Sequence, residues 1–143
     1  MTGSIDPFAS RYAATACNQT YHVEVIADAE EMAKSLLAEY RKETKSIPQK
    51  IIYLRDGAAE GQFAEVLRVE LPAIRQAARE IVGPGKRINI TVIIVKKRHH
   101  TRLFPISAVD GDKNGNVDAG TIVDTGITRP VEFDFCTCVS FAC

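Results

Sequence analysis

Between residues 24 and 45, apolar side chains return every three or four positions, at Val25, Ala29, Met32, Ala33, Leu36, Leu37 and Tyr40. Glu30, Glu31, Lys34, Glu39, Arg41 and Lys42 occupy the intervening positions, so the segment predicts an amphipathic helix that Pro48 ends. A second stripe, Phe63, Val66, Leu67, Leu71, Ile74 and Ala78, predicts another helix over residues 61–82. Pro72 lies inside that stripe and is expected to kink or restart the helix, and Gly83-Pro84-Gly85 closes it. Strand patterns surround these helices. Residues 50–54 (KIIYL) and 88–95 (INITVIIV) are β-branched and aromatic runs of the kind buried strands carry. Residues 11–20 (RYAATACNQT) and 120–128 (GTIVDTGIT, split by a glycine) read as less regular strands.

The order strand, helix, strand, helix, strand, loop, strand indicates an α/β layer architecture with a largely parallel sheet. In such sheets, ligand and catalytic groups sit just beyond the carboxyl ends of strands. Two segments lie at such ends: Asp56 follows the strand at 50–54, and residues 96–102 follow the strand at 88–95.

Composition narrows the classes. With 143 residues, 45% hydrophobic and 25% charged, the chain is one ordinary domain with enough apolar content for a core and too little charge for disorder. Eighteen basic residues against eighteen acidic ones exclude a histone-like or polybasic protein, although not a local basic patch. No apolar run approaches the roughly 18 residues of a membrane span. The opening MTGSIDPFAS has neither the basic nor the apolar region of a signal peptide, so the expectation is a cytoplasmic or nuclear protein without a membrane partner. Cys17 stands alone and Cys136, Cys138 and Cys143 crowd the end without the paired C-x2-C spacing of zinc ribbons; free thiols are expected.

Three segments carry candidate chemistry. Residues 96–102 (KKRHHTR) concentrate four permanent cations and two histidines at a strand end of a neutral protein. Phosphates are the natural counter-charge, and Arg98 and Arg102 are suited to grip them with paired donors; the competing role is a solvated strand edge. Asp56, followed by Gly57, is placed to hold a divalent cation, with Glu24 as a possible partner carboxylate; an Asp-Gly turn and a helix N-terminus are the plainer roles of these residues. Residues 110–118 (DGDKNGNVD) match the first nine positions of an EF-hand loop, but Thr121 replaces the bidentate carboxylate and no amphipathic helix precedes it, so a polar turn is expected. His22 is remote from His99 and His100, and no zinc motif results.

Several strings are more specific than this. GSIDPFASRYAAT (3–15), IIYLRDGAAEGQF (51–63), KKRHHTRLFP (96–105), GNVDAGTIVDTGIT (115–128) and EFDF (132–135) resemble the PIWI domain of eukaryotic Argonaute proteins, in detail the fungal ones more than those of animals or plants. The resemblance covers residues 3–135 and leaves 136–143 (CTCVSFAC) as a divergent tail. It implies a ribonuclease H-like fold, a mixed sheet flanked by helices, and a family activity of guide-directed RNA cleavage through two Mg2+ (or Mn2+) ions held by three acids and a histidine. Asp56 falls on the second of the family's catalytic aspartates and Glu24, 32 residues before it, on the catalytic glutamate. Lys97, Arg98, His100 and Arg102 fall on the segment that contacts guide phosphates.

The same resemblance implies an incomplete fold. The family's first catalytic aspartate lies on a strand upstream of Gly3 and its histidine downstream of Cys143, which makes the chain truncated at both ends. The sheet is expected to lack its first strand, the strand at 11–20 to have lost its partner, and the edge of the strand at 50–54 to be open. The implied function is guide and target RNA binding in gene silencing, with the rest of an Argonaute as a further partner and no cleavage by this chain alone. The alternatives are an endoribonuclease core completed by other segments and a non-functional truncated product.

Overall fold

The computed structural model describes residues 1–21, 23–97, 100–129 and 133–138. Arg98, His99, His22, Glu132 and most of the cysteine-rich tail therefore lie outside the described residues. Residues 1–97 form one unit and the residues beyond 97 a second.

The first unit opens with a short antiparallel ladder, β1 (Thr2–Ser4) against β2 (Tyr12–Ala14), in which Gly3 faces Ala13. The strand expected at 11–20 is thus three residues long, and it keeps a partner rather than losing one. Helix α1 (Ala29–Thr44) begins five residues later than its apolar stripe suggested. The reason is hydrogen bonding: the Ile26 N–H and the Glu24 carbonyl are both taken by side chains from elsewhere in the unit, so the first helical bond runs from Met32 N–H to the Asp28 carbonyl. Glu30 and Glu31 in the first turn and Arg41 and Lys42 in the last suit the helix dipole.

Strand β3 (Lys50–Asp56) leads through a short 3-10 turn, Glu60–Gln62, into α2 (Phe63–Val82), which returns the chain to β4 (Asn89–Val95). Pro72 does not break α2. Both Pro72 and Arg68, whose carbonyl loses its helical donor there, are exposed, and water can replace the missing N–H. β3 and β4 pair in parallel, Ile51 beside Ile90, Tyr53 beside Val92 and Asp56 beside Val95.

The odd positions of β3 and even positions of β4 face the helices. Tyr53 joins Ala33 and Leu37 of α1 and Ile74, Ala77 and Ala78 of α2 in the core, with Ile51, Ile90 and Val92 packed around it. On the other sheet face β3 shows apolar side chains to solvent: Ile52 and Leu54 are 66% and 63% exposed. Among the described residues no strand pairs with the second edge of β3. No helix among the described residues is long and apolar enough to cross a membrane.

The second unit contains little regular structure. A 3-10 turn (Ala108–Asp110) precedes a hairpin in which Gly111 bridges Val117. The carboxylate of Asp112 accepts the N–H groups of Asn114 and Asn116, both at 2.8 Å, and these bonds hold it below the usual carboxylate range. The EF-hand-like string is therefore a polar turn whose central acid is spent on its own backbone. β5 (Ile122–Val123) and β6 (Cys136–Thr137) pair antiparallel, so the strand expected at 120–128 is two residues long and gains a partner that the sequence did not announce. Cys17 and Cys136 are free thiols, whereas Cys138 is buried and held in a disulfide, contrary to expectation for that residue.

Candidate functional site

The candidate site grows from the last three residues of β3 and the turn after it. Gly57 has φ +82°, a conformation that side-chain-bearing residues adopt only at a cost, and it turns the chain away immediately after Asp56. The parallel register places Asp56 beside Val95, which brings Lys97, two residues on, within reach. Lys97 Nζ donates to Asp56 Oδ2 at 2.5 Å, and both side chains are more than half exposed. The hydrogen bond from Lys97, reinforced by its charge, keeps the Asp56 carboxyl below its ordinary range. An ion pair this open to water is screened and exchangeable.

Beneath it lies a second, buried system. Arg55 Nε donates to both carboxylate oxygens of Glu70 at 3.1 Å, and Glu70 on α2 is completely buried. The same carboxylate accepts the Tyr53 hydroxyl at 2.6 Å and the Ile26 N–H at 3.0 Å. Burial, then the bond to Glu70, pushes the Tyr53 phenol well above its usual value. With Glu70 fixing its inner nitrogen, the Arg55 guanidinium points two further donors outward. Nη1 reaches the carbonyl of Asp56 and Nη2 the carbonyl of Glu24, each at 2.6 Å.

One guanidinium thus joins the main chains of both carboxylate residues singled out in the sequence. Glu24 is not on a helix: it sits in the irregular segment before α1, with its side chain exposed. Of the basic string, Lys97 is paired with Asp56, Arg98 is outside the described residues, and His100 and Arg102 are exposed members of the second unit. Tyr53, Arg55 and Glu70 were not singled out. Glu70 had a signal: it stands four residues from Val66 and from Ile74, an acid in the middle of an apolar stripe.

These donors do not by themselves make a magnesium site. A hard divalent cation takes about six oxygen ligands, several of them anionic in a two-ion centre. Asp56 offers one carboxylate already neutralised by an ammonium, and among the described residues no group of three His, Cys, Asp or Glu side chains converges.

The sequence model of the Piwi domain matches residues 1–142. The chain belongs to the Piwi domain family. Its α/β architecture is accordingly the ribonuclease H-like one. The Piwi chain is similar in structure to the C-terminal lobe of a budding yeast Argonaute, with a TM-score of 0.70 and 30% sequence identity over 80% of this chain and 25% of that one. It is also similar to Kluyveromyces polysporus Argonaute, solved with a guide RNA, with a TM-score of 0.66 and 29% identity over 80% of this chain and 14% of that one. This Piwi chain therefore spans a quarter or less of the length of these two structures.

Proposed function

We propose that this Piwi domain chain binds single-stranded RNA, guide or target, through phosphate contacts made by Lys97, Arg98, His100 and Arg102, as part of an Argonaute acting in RNA silencing in the cytoplasm. The observation that carries the reading is family membership over residues 1–142, together with a cation-rich segment directly after β4. The open pairing of Lys97 with Asp56 supports it, because an exposed ammonium exchanges one oxyanion for another at little cost. Fluorescence anisotropy of a labelled RNA oligonucleotide across a salt series tests the proposal. Replacing Lys97 and Arg102 with alanine removes two phosphate contacts and should flatten the log–log salt slope by about 1.4 for a single strand. Unchanged affinity and slope would instead favour a product without nucleic-acid function.

A second reading is favoured by the Arg55 bridge between Glu24 and Asp56: these residues are catalytic carboxylates of an endoribonuclease core completed by other segments of an Argonaute. Mg2+ or Mn2+ chemistry belongs to that completed site, and cleavage by this chain alone is not expected from its donor set. RNA cleavage in a mixture with the remaining Argonaute segments, abolished by Asp56→Ala, is the required observation; a mixture inactive before mutation ends this reading.

A further inference from the structure

The end of α2 and the approach to β4 enclose an open pocket of about 820 Å3 in the first unit. Arg75 and Arg79, one turn apart on the helix, and Lys86 and Arg87, in the segment between helix and strand, line it above Ile88. All four cations are exposed, and among the described residues none of the four is ion-paired. The one acid among the described lining residues, Glu80, is engaged elsewhere: Lys34 approaches it at 2.9 Å and Gln76 at 3.1 Å.

Two ordinary explanations fall short of this concentration of charge. A helix C-terminus presents about half a negative charge, which Arg79 in the last turn already answers. A generally basic surface is excluded by the chain's formal neutrality. The cluster is also distinct from the candidate site. Lys86 and Arg87 precede β4 while Lys96 and Lys97 follow it, so the two basic groups lie beyond opposite ends of a strand that is itself roughly 20 Å long at 3.3 Å per residue.

The lining chemistry selects the ligand. Three of the four cations are arginines, whose planar forks match the oxygens of a phosphate in pairs. No aromatic side chain is among the described lining residues, so the pocket offers no platform on which a base would stack. We propose that this pocket binds the phosphodiester backbone of a nucleic-acid strand without reading its bases. The choice of a nucleic acid as the polyanion rests on the function proposed above, while the site is separate from residues 96–102.

Titration of the isotopically labelled chain with a short oligouridylate, followed by amide NMR, separates the two sites. Shifts at Arg79, Lys86 and Arg87 that disappear in Lys86→Gln with Arg87→Gln, together with a fall of about 1.4 in the salt slope, are the expected result. Both substitutions lie outside the helix and leave its packing intact; Arg79→Gln, measured separately, should act in the same direction. Shifts confined to residues 96–102, with the slope unchanged in these variants, would overturn the pocket and leave the proposed function standing. Shifts in the pocket alone would support the pocket and overturn the role of residues 96–102. No shifts anywhere would overturn both. If oligoglutamate moves the pocket amides and oligouridylate does not, the ligand is an acidic polypeptide and the proposal fails.

Discussion

Glu70 holds Arg55 through both carboxylate oxygens at 3.1 Å while exposing none of its own surface. Removing one partner of such a pair leaves the other buried and uncompensated, at a cost of about 3–5 kcal/mol. For a domain whose whole stability is of order 5–15 kcal/mol, that is a large fraction. Glu70→Ala is expected to lower the urea midpoint severely or abolish cooperative unfolding. A variant within about 1 kcal/mol of the parent would mean that the pair contributes little beyond its desolvation cost.

Tyr53 gives an alkaline counterpart. Its phenol value is raised above 10.0 by burial and by Glu70, so the folded state favours the protonated form more strongly than the unfolded state does. The contribution is complete below pH 10 and is lost as pH rises through the raised value. Stability measured by urea unfolding should therefore fall more steeply above pH 10 in the parent than in Tyr53→Phe. At neutral pH the same variant should be less stable by about 1.5–3 kcal/mol, the worth of a hydrogen bond to a charged group.

Asp56 should titrate below 3.8, because Lys97 stabilises its carboxylate. The depressed value means that the pair contributes above the ordinary carboxylate range and is lost as pH falls through the lowered one. Carbon-detected NMR of the Asp56 carboxyl group should show the low midpoint, and Lys97→Met should return it toward 3.8. A midpoint indifferent to that substitution would indicate that the two side chains do not pair in solution.

The solvent-facing apolar side chains of β3 carry a liability. Ile52 and Leu54 are 66% and 63% exposed beside a strand edge that no strand among the described residues pairs, a combination that favours edge-to-edge association. The isolated chain should aggregate on heating or melt below about 50 °C, the lower part of the mesophile range. Ile52→Lys with Leu54→Lys should raise its solubility in sedimentation or light-scattering assays. A cooperative transition of the parent well above that temperature, without scattering, would contradict this expectation.

The helices and the two long strands were legible because their apolar periods are long enough to outvote local noise. The stripe of α2 placed that helix within two residues, and INITVIIV placed β4 within one. The start of α1 was not legible, because what stops the helix at Asp28 is tertiary: Glu70 and Arg55, 44 and 31 residues from their targets, claim the backbone of Ile26 and Glu24. The Lys97–Asp56 contact was hidden for a similar reason. It depends on a parallel register between strands separated by a helix, and nothing local to either residue encodes it. β6 escaped notice because a two-residue strand has no period to detect. Asp56 and Glu24 were found as a candidate pair of carboxylates and the basic string as a separate feature; the arginine that joins the first two through their carbonyls was overlooked.

The buried triad of Tyr53, Arg55 and Glu70 also settles which side of β3 is the inside. With Ile51, Ile52, Tyr53 and Leu54 in succession, the strand is apolar on both faces, and hydrophobicity alone distinguishes poorly between the two ways of laying it against α2. A slip of one residue would turn Ile52 and Leu54 inward and carry Tyr53 and Arg55 out. It would also strand a fully buried carboxylate without two of its three side-chain and backbone donors. Glu70 thus penalises the misaligned strand far more than it stabilises the aligned one, and it acts as a proofreading group for the phase of the strand that ends in Asp56.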